Sequence, residues 1–165
     1  MKYSYYLLFF LFIACKKDNS EYKHLNGFAL GSSFSISYES ADELNNEKQI
    51  DSLIKGINAS LSTYMPDSDI SRINDGDTTV LVDDYFVEVF TKSKKIYKET
   101  NGAFDPSVGV LVNAWGFGPE NEILSLDSVK IKSLMQRVGF DKVSIQNGKI
   151  VSVIDSLYLD FNAIG

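Results

Sequence analysis

Between Phe34 and Leu61 the hydrophobic period of this chain changes from two to about 3.6, and that single change rules out an all-helical or an all-strand fold. Phe34, Ile36 and Tyr38 alternate with serines, as in a strand with one face against a core. Ile50, Leu53, Ile54, Ile57 and Leu61 then fall at helical spacing and predict one apolar stripe along a helix of roughly five turns.

The same switching continues downstream. Ser62 to Pro66 breaks the helix, and Ser68 is placed to cap a short turn over Ile70 to Asn74. Val80 and Val82 read as a short strand. Asp83 is a good N-cap for a helix with Phe86, Phe90 and Tyr97 on one face, which Asn101-Gly102 ends. A further helix is expected from about Ser128 to Val138, stopping at Gly139. Val143 and Ile145, an Asn147-Gly148 turn, and Ile150 to Ile154 spell a β-hairpin. Leu157 to Phe161 predicts one more apolar strand. The expected class is α+β, with helices packed on a mixed or antiparallel sheet and β-hairpins.

Composition narrows the setting. With 44% hydrophobic residues the chain is globular, and a net charge of −6 without a basic stripe argues against nucleic acid as a partner. Residues 1–14 differ from the rest: Lys2 gives a positive start and Leu7 to Ala14 is an unbroken apolar run too short to span a bilayer. They read as a signal peptide. Phe12-Ile13-Ala14-Cys15 resembles the lipobox of bacterial lipoproteins, with Phe12 where leucine is usual. Cys15, the sole cysteine, would become an acylated N-terminus, palmitate included; alternatively it belongs to a plain signal peptide. The polar residues 15–24 would be a tether, leaving 25–165 as the domain, anchored at the cell membrane on the extracytoplasmic, periplasmic side.

Generic catalytic motifs are absent: the sequence holds no nucleophile elbow, no Walker loop, no GxGxxG and no histidine-rich metal pattern. The single histidine, His24, falls in the expected tether and reads as solvated. Five segments nevertheless stand in register with one family. They are Leu30-Gly31-Ser32-Ser33-Phe34 in a first strand, the run from Leu61 to Asn74 (LSTYMPDSDISRIN), the run from Thr100 to Gly109 (TNGAFDPSVG), Ala114-Trp115-Gly116-Phe117-Gly118, and Leu159 to Gly165 (LDFNAIG). In these the chain resembles the FAD:protein FMN transferase (ApbE) family, over most of residues 27–165 and matching its N-terminal half.

Each segment also has its own physical reading. A tyrosine on an interhelical loop can stack on a flat isoalloxazine ring, so Tyr64 is either a flavin contact or a plug for the preceding helix. Ala103-Phe104-Asp105, rigid before Pro106, could hydrogen-bond a cofactor's polar edge or simply be turn chemistry. Trp115 could wall a cofactor, though its size favours the core. Arg72 and Asn74 are expected to tie their loop to the domain, and Asp160 either lies near a metal or caps a following helix.

The resemblance implies more than these patterns carry. It implies transfer of the FMN moiety of FAD to a threonine hydroxyl of a target flavoprotein, with AMP released and Mg²⁺ required. FAD contacts would be Leu30 (where the family usually has methionine), Tyr64, Ala103, Phe104, Asp105 and Asn162, and the Gly165 carbonyl would be one metal ligand. The remaining metal ligands and a Lys-Gly-Tyr run belong to the family's C-terminal half, so the 165-residue chain alone is expected to be inactive. The alternatives are a flavin-binding lipoprotein without transferase chemistry, and a surface lipoprotein with an interaction role only.

Overall fold

The computed structural model describes residues 21–40, 46–119 and 125–162; the expected signal peptide, Cys15 and the Gly165 carbonyl lie outside them. The first described element is a hairpin of β1 (Glu21–Ala29) and β2 (Ser32–Ser40), antiparallel, with Leu25 opposite Ile36 and Gly27 opposite Phe34. Two expectations change here. Residues 21–24 are not tether but the first half of β1, because the period of two runs upstream: Tyr22 and His24 point outward while Lys23 and Leu25 are half-buried. Leu30 and Gly31 are not in a strand but form the turn, with φ of 51° and 78°.

Helix α1 (Asn46–Leu61) carries the expected stripe, though only its end is deep: Leu53 is exposed, Ile54 and Ile57 are half-buried, and Leu61 is buried. Helix α2 (Asp69–Asn74) starts where Ser68 accepts a hydrogen bond from the Ser71 amide at 3.2 Å. Helix α3 (Asp84–Glu99) starts at Asp83, whose Oδ1 accepts from the Phe86 amide at 2.9 Å. The same oxygen accepts from the Ser60 hydroxyl at 2.8 Å, so one cap also fastens the end of α1 to the start of α3.

A 3-10 turn (Pro106–Val108) leads into α4 (Gly109–Ala114), a helix that the hydrophobic pattern did not reveal. Helix α5 (Ser128–Met135) ends earlier than expected: Gln136, Arg137 and Val138 bond three residues back, tightening the last turn. Gly139 then takes φ 151°, ψ 79°, backbone that a side chain disfavours, and its amide donates to the buried Ser107 hydroxyl at 2.8 Å. Strands β3 (Val143–Gln146) and β4 (Lys149–Ser152) form the expected hairpin, with Asn147 and Gly148 both at positive φ, the pair a type I′ turn demands.

Two expected strands are not strands. Val80–Val82 has no ladder, only the Val82 amide bonded to the Gly148 carbonyl at 2.9 Å. Leu157–Phe161 is extended and apolar, but a side chain does the pairing that a neighbouring strand would do. The Asn74 amide donates to the Leu159 carbonyl at 2.9 Å and accepts from the Leu159 amide at 2.8 Å. This is how a buried segment keeps its backbone satisfied without a sheet.

The core lies between α1, α2, α3, the second hairpin and this extended segment. Ile70, Phe86, Phe140 and Leu159 have no exposed surface, and Leu61, Phe90, Val143 and Phe161 close around them. Four rings meet edge to face: Phe90 to Phe140 at 4.9 Å, Phe86 to Phe161 at 5.7 Å and Phe140 to Phe161 at 6.3 Å. Such pairs add about 0.5–1.5 kcal/mol each beyond burial. The architecture is the expected α+β one, with two separate antiparallel hairpins among the described residues.

Candidate functional site

Hydrogen bonds around the segment 159–162 join three of the sequence-predicted stretches. At one end Asn74 holds Leu159. In the middle, the Asp160 amide donates to the Pro106 carbonyl at 2.8 Å. At the other end the Asn162 side-chain amide donates to the Thr63 hydroxyl at 2.7 Å, across 99 positions of sequence. Three of the five family-like segments are thereby fastened to one another: the 61–74 loop, the 100–109 loop and 159–162.

Tyr64 sits on the first of these. The Ser62 carbonyl accepts from the Ser68 hydroxyl at 2.7 Å and from the Met65 amide at 3.2 Å, closing residues 62–68 into a tight loop. Thr63 before it is buried, while Tyr64 itself is 62% exposed. A ring this exposed does not match the plug reading, and Tyr64 directly follows Thr63, whose hydroxyl bonds Asn162.

Asp105 is occupied internally. Its Oδ1 accepts from the Ser107 amide at 2.8 Å and the Ser107 hydroxyl at 2.6 Å, and its Oδ2 from the Phe140 amide at 3.3 Å. Turn chemistry therefore accounts for its carboxylate. Phe104 is half-buried and Ala103 exposed. The Ala103 and Phe104 amides both donate to Thr100, to its carbonyl and its hydroxyl.

Leu30 is carried separately at the tip of the first hairpin, 53% exposed, and the bonds that join the other segments do not involve it. Its φ of 51° is uncommon for a non-glycine residue. Trp115 corrects the core expectation: it is 46% exposed, because α4 turns Asn113 and Ala114 inward and the next residue points away. Phe117 is 79% exposed beside it. Behind them Asn113 Oδ1 is buried with no partner among the described residues, and a Cβ at Gly118 would lie 1.6 Å from that oxygen. Arg72 bonds Asp77 at 2.7 Å, a local clasp, so of the two expected ties Asn74 alone reaches across the domain. Asp160 Oδ1 accepts from the Asn162 backbone amide at 2.8 Å, a local turn bond.

Sequence reasoning missed Thr63. Nothing local marks a buried hydroxyl whose partner lies 99 residues away. It also gave no sign of a cleft of about 480 Å³ between α3 and β3, lined by Phe90, Lys94, Tyr97, Lys98, Asp141 and Ile145. There burial pushes the Lys94 ammonium below the usual lysine range, against the pull of Asp141, and the ammonium lies 4.4 Å from the Phe140 ring centroid. None of the expected flavin residues lines that cleft. Among the described residues no group of three or more His, Cys, Asp or Glu could hold a metal ion.

The sequence pattern of the ApbE family matches residues 30–165. The chain is 29% identical to the FAD:protein FMN transferase of Haemophilus influenzae over 164 residues, covering 92% of this chain and 47% of that protein. It is 30% identical to that of Vibrio cholerae over 162 residues, covering 93% and 48%. Among solved structures, the flavin transferase ApbE from Vibrio cholerae superposes with a TM-score of 0.77 at 29% identity, over 87% of this chain and 48% of that one. The apo form of the Pseudomonas stutzeri flavinyl transferase ApbE gives 0.77 at 26% identity, over 88% and 48%. The chain spans about half the length of the relatives it matches, in agreement with the five segments read from the sequence. It belongs to the ApbE family.

Proposed function

We propose that the complete product of the gene encoding this chain transfers the FMN moiety of FAD to a threonine hydroxyl of a target flavoprotein. The threonine oxygen bonds to the phosphorus on the FMN side, the pyrophosphate P–O bond breaks, the hydroxyl loses its proton, and AMP leaves. The relatives are named for FAD:protein FMN transfer. The observation that carries the reading in this chain is the exposed Tyr64 ring on a loop bonded directly to Asn162.

The residues present fit a flavin. Tyr64 offers a flat face for the isoalloxazine ring, and Asn162 beside it offers an amide. Ala103 and Phe104 offer carbonyl acceptors to a polar edge, with Asp105 fixing that loop rather than touching the flavin through its carboxylate. Leu30 would add an apolar contact from the hairpin tip. Mg²⁺, when bound, would neutralise the charge that develops on the pyrophosphate oxygens. Gly165 is this chain's proposed ligand through its carbonyl, and the described residues form no cluster that would hold the ion by themselves. Cys15 is proposed as the acylated residue that keeps the protein on the extracytoplasmic face of the cell membrane.

Titration of FAD into the flavin-free protein, followed by quenching of flavin fluorescence, tests the site. Tyr64→Ala should weaken binding by roughly 1–3 kcal/mol, the loss of a stacked and buried ring, without lowering stability. Phe86→Ala, by contrast, should lower stability, since that ring is wholly buried. Equal affinity of wild type and Tyr64→Ala would remove Tyr64 from the site.

A further inference from the structure

We propose that Thr63 is a positioning residue for the flavin, acting through Asn162; the inference rests on the reading above that Asn162 faces FAD. Apart from the core packing of Leu159 and Phe161, the other described hydrogen bonds that fix segment 159–162 reach its backbone. Asn74 fixes both polar groups of Leu159, the Pro106 carbonyl fixes the Asp160 amide, and Asp160 Oδ1 fixes the Asn162 amide. The hold on a flavin-facing side chain is the Asn162 Nδ2 to Thr63 Oγ1 bond at 2.7 Å. Thr63 is 6% exposed, so its hydroxyl is a rigid, water-protected acceptor, while Asn162 is exposed and its amide would otherwise rotate freely.

The bond does two things. It takes up one of the two Nδ2 hydrogens of Asn162 and fixes the amide plane, so that Oδ1 and the second N–H have set directions, an acceptor and a donor for the flavin's polar edge. It also sets the spacing between Asn162 and Tyr64, because Thr63 and Tyr64 are adjacent in one closed loop. A stacked ring and an edge contact have to be held at one fixed separation to act on one flat molecule, and preorganising them reduces the ordering cost of binding.

Thr63→Val keeps the shape and removes the acceptor; Thr63→Ser keeps the acceptor. In the complete gene product, Thr63→Val should bind FAD about 3- to 10-fold more weakly, the worth of one net hydrogen bond, with an unchanged melting temperature. Thr63→Ser should bind like wild type. In an Asn162→Ala background Thr63→Val should cost nothing further, which a merely structural role would not produce. In the flavin-free protein the Asn162 side-chain amide resonances should move in Thr63→Val and stay in Thr63→Ser. Wild-type affinity in Thr63→Val, losses that multiply with Asn162→Ala, or unmoved Asn162 resonances would each overturn the inference. A wild type that binds no FAD would refute the functional reading itself, and this inference with it.

Discussion

Replacing Asn74 by leucine removes the one side chain that does the work of a missing strand. Leu159 has no exposed surface, and its amide and carbonyl both bond to Asn74, at 2.8 and 2.9 Å. Leucine keeps the branched four-atom outline of asparagine, so the main loss is one of hydrogen bonds. A buried backbone group left without a partner costs about 1–3 kcal/mol, so the two together should cost about 2–6 kcal/mol. That is a large share of the 5–15 kcal/mol that holds a typical domain. Urea unfolding followed by circular dichroism reads the loss as a lower midpoint at unchanged slope. Hydrogen exchange adds a local reading: the Leu159 amide should be strongly protected in wild type and exchange faster in Asn74→Leu. A loss under about 1 kcal/mol with full protection of Leu159 would refute the claim that Asn74 replaces a strand.

Two further outcomes follow from particular residues. Leu30 sits at φ 51° and is more than half exposed, so Leu30→Asn should raise stability by up to about 1 kcal/mol, because asparagine tolerates this backbone and little burial is lost; on the proposed reading the same change weakens FAD binding, and the two effects are separable by urea unfolding and flavin titration. Wild type should partition into the detergent phase and Cys15→Ser into the aqueous phase, since acyl chains on Cys15 are the proposed anchor; both in the aqueous phase would dismiss it.

Local chemistry made much of this fold legible. Ser68 and Asp83 cap the helices they were expected to cap, and Asn147-Gly148 makes its hairpin, because each of these choices is decided within four residues. What was not legible was decided at a distance. Leu157–Phe161 has the composition of a strand, and only Asn74, 85 positions away, makes it something else. Trp115 has the size of a core residue, yet α4 puts it half outside. For the site, Tyr64 and Asn162 came from family resemblance and not from any pattern of spacing. The bond through Thr63 that brings them together has no sequence signal at all.

The central claim is a group transfer, and mass spectrometry of an acceptor reads it directly. The complete gene product would be incubated with FAD, Mg²⁺ and a flavoprotein substrate carrying an acceptor threonine, then the substrate digested and its peptides weighed. The account predicts a threonine-containing peptide heavier by one FMN moiety, with AMP formed in equal amount and no labelling when FMN replaces FAD. Tight FAD binding with the acceptor unmodified and no AMP would contradict it and leave a flavin-binding protein instead.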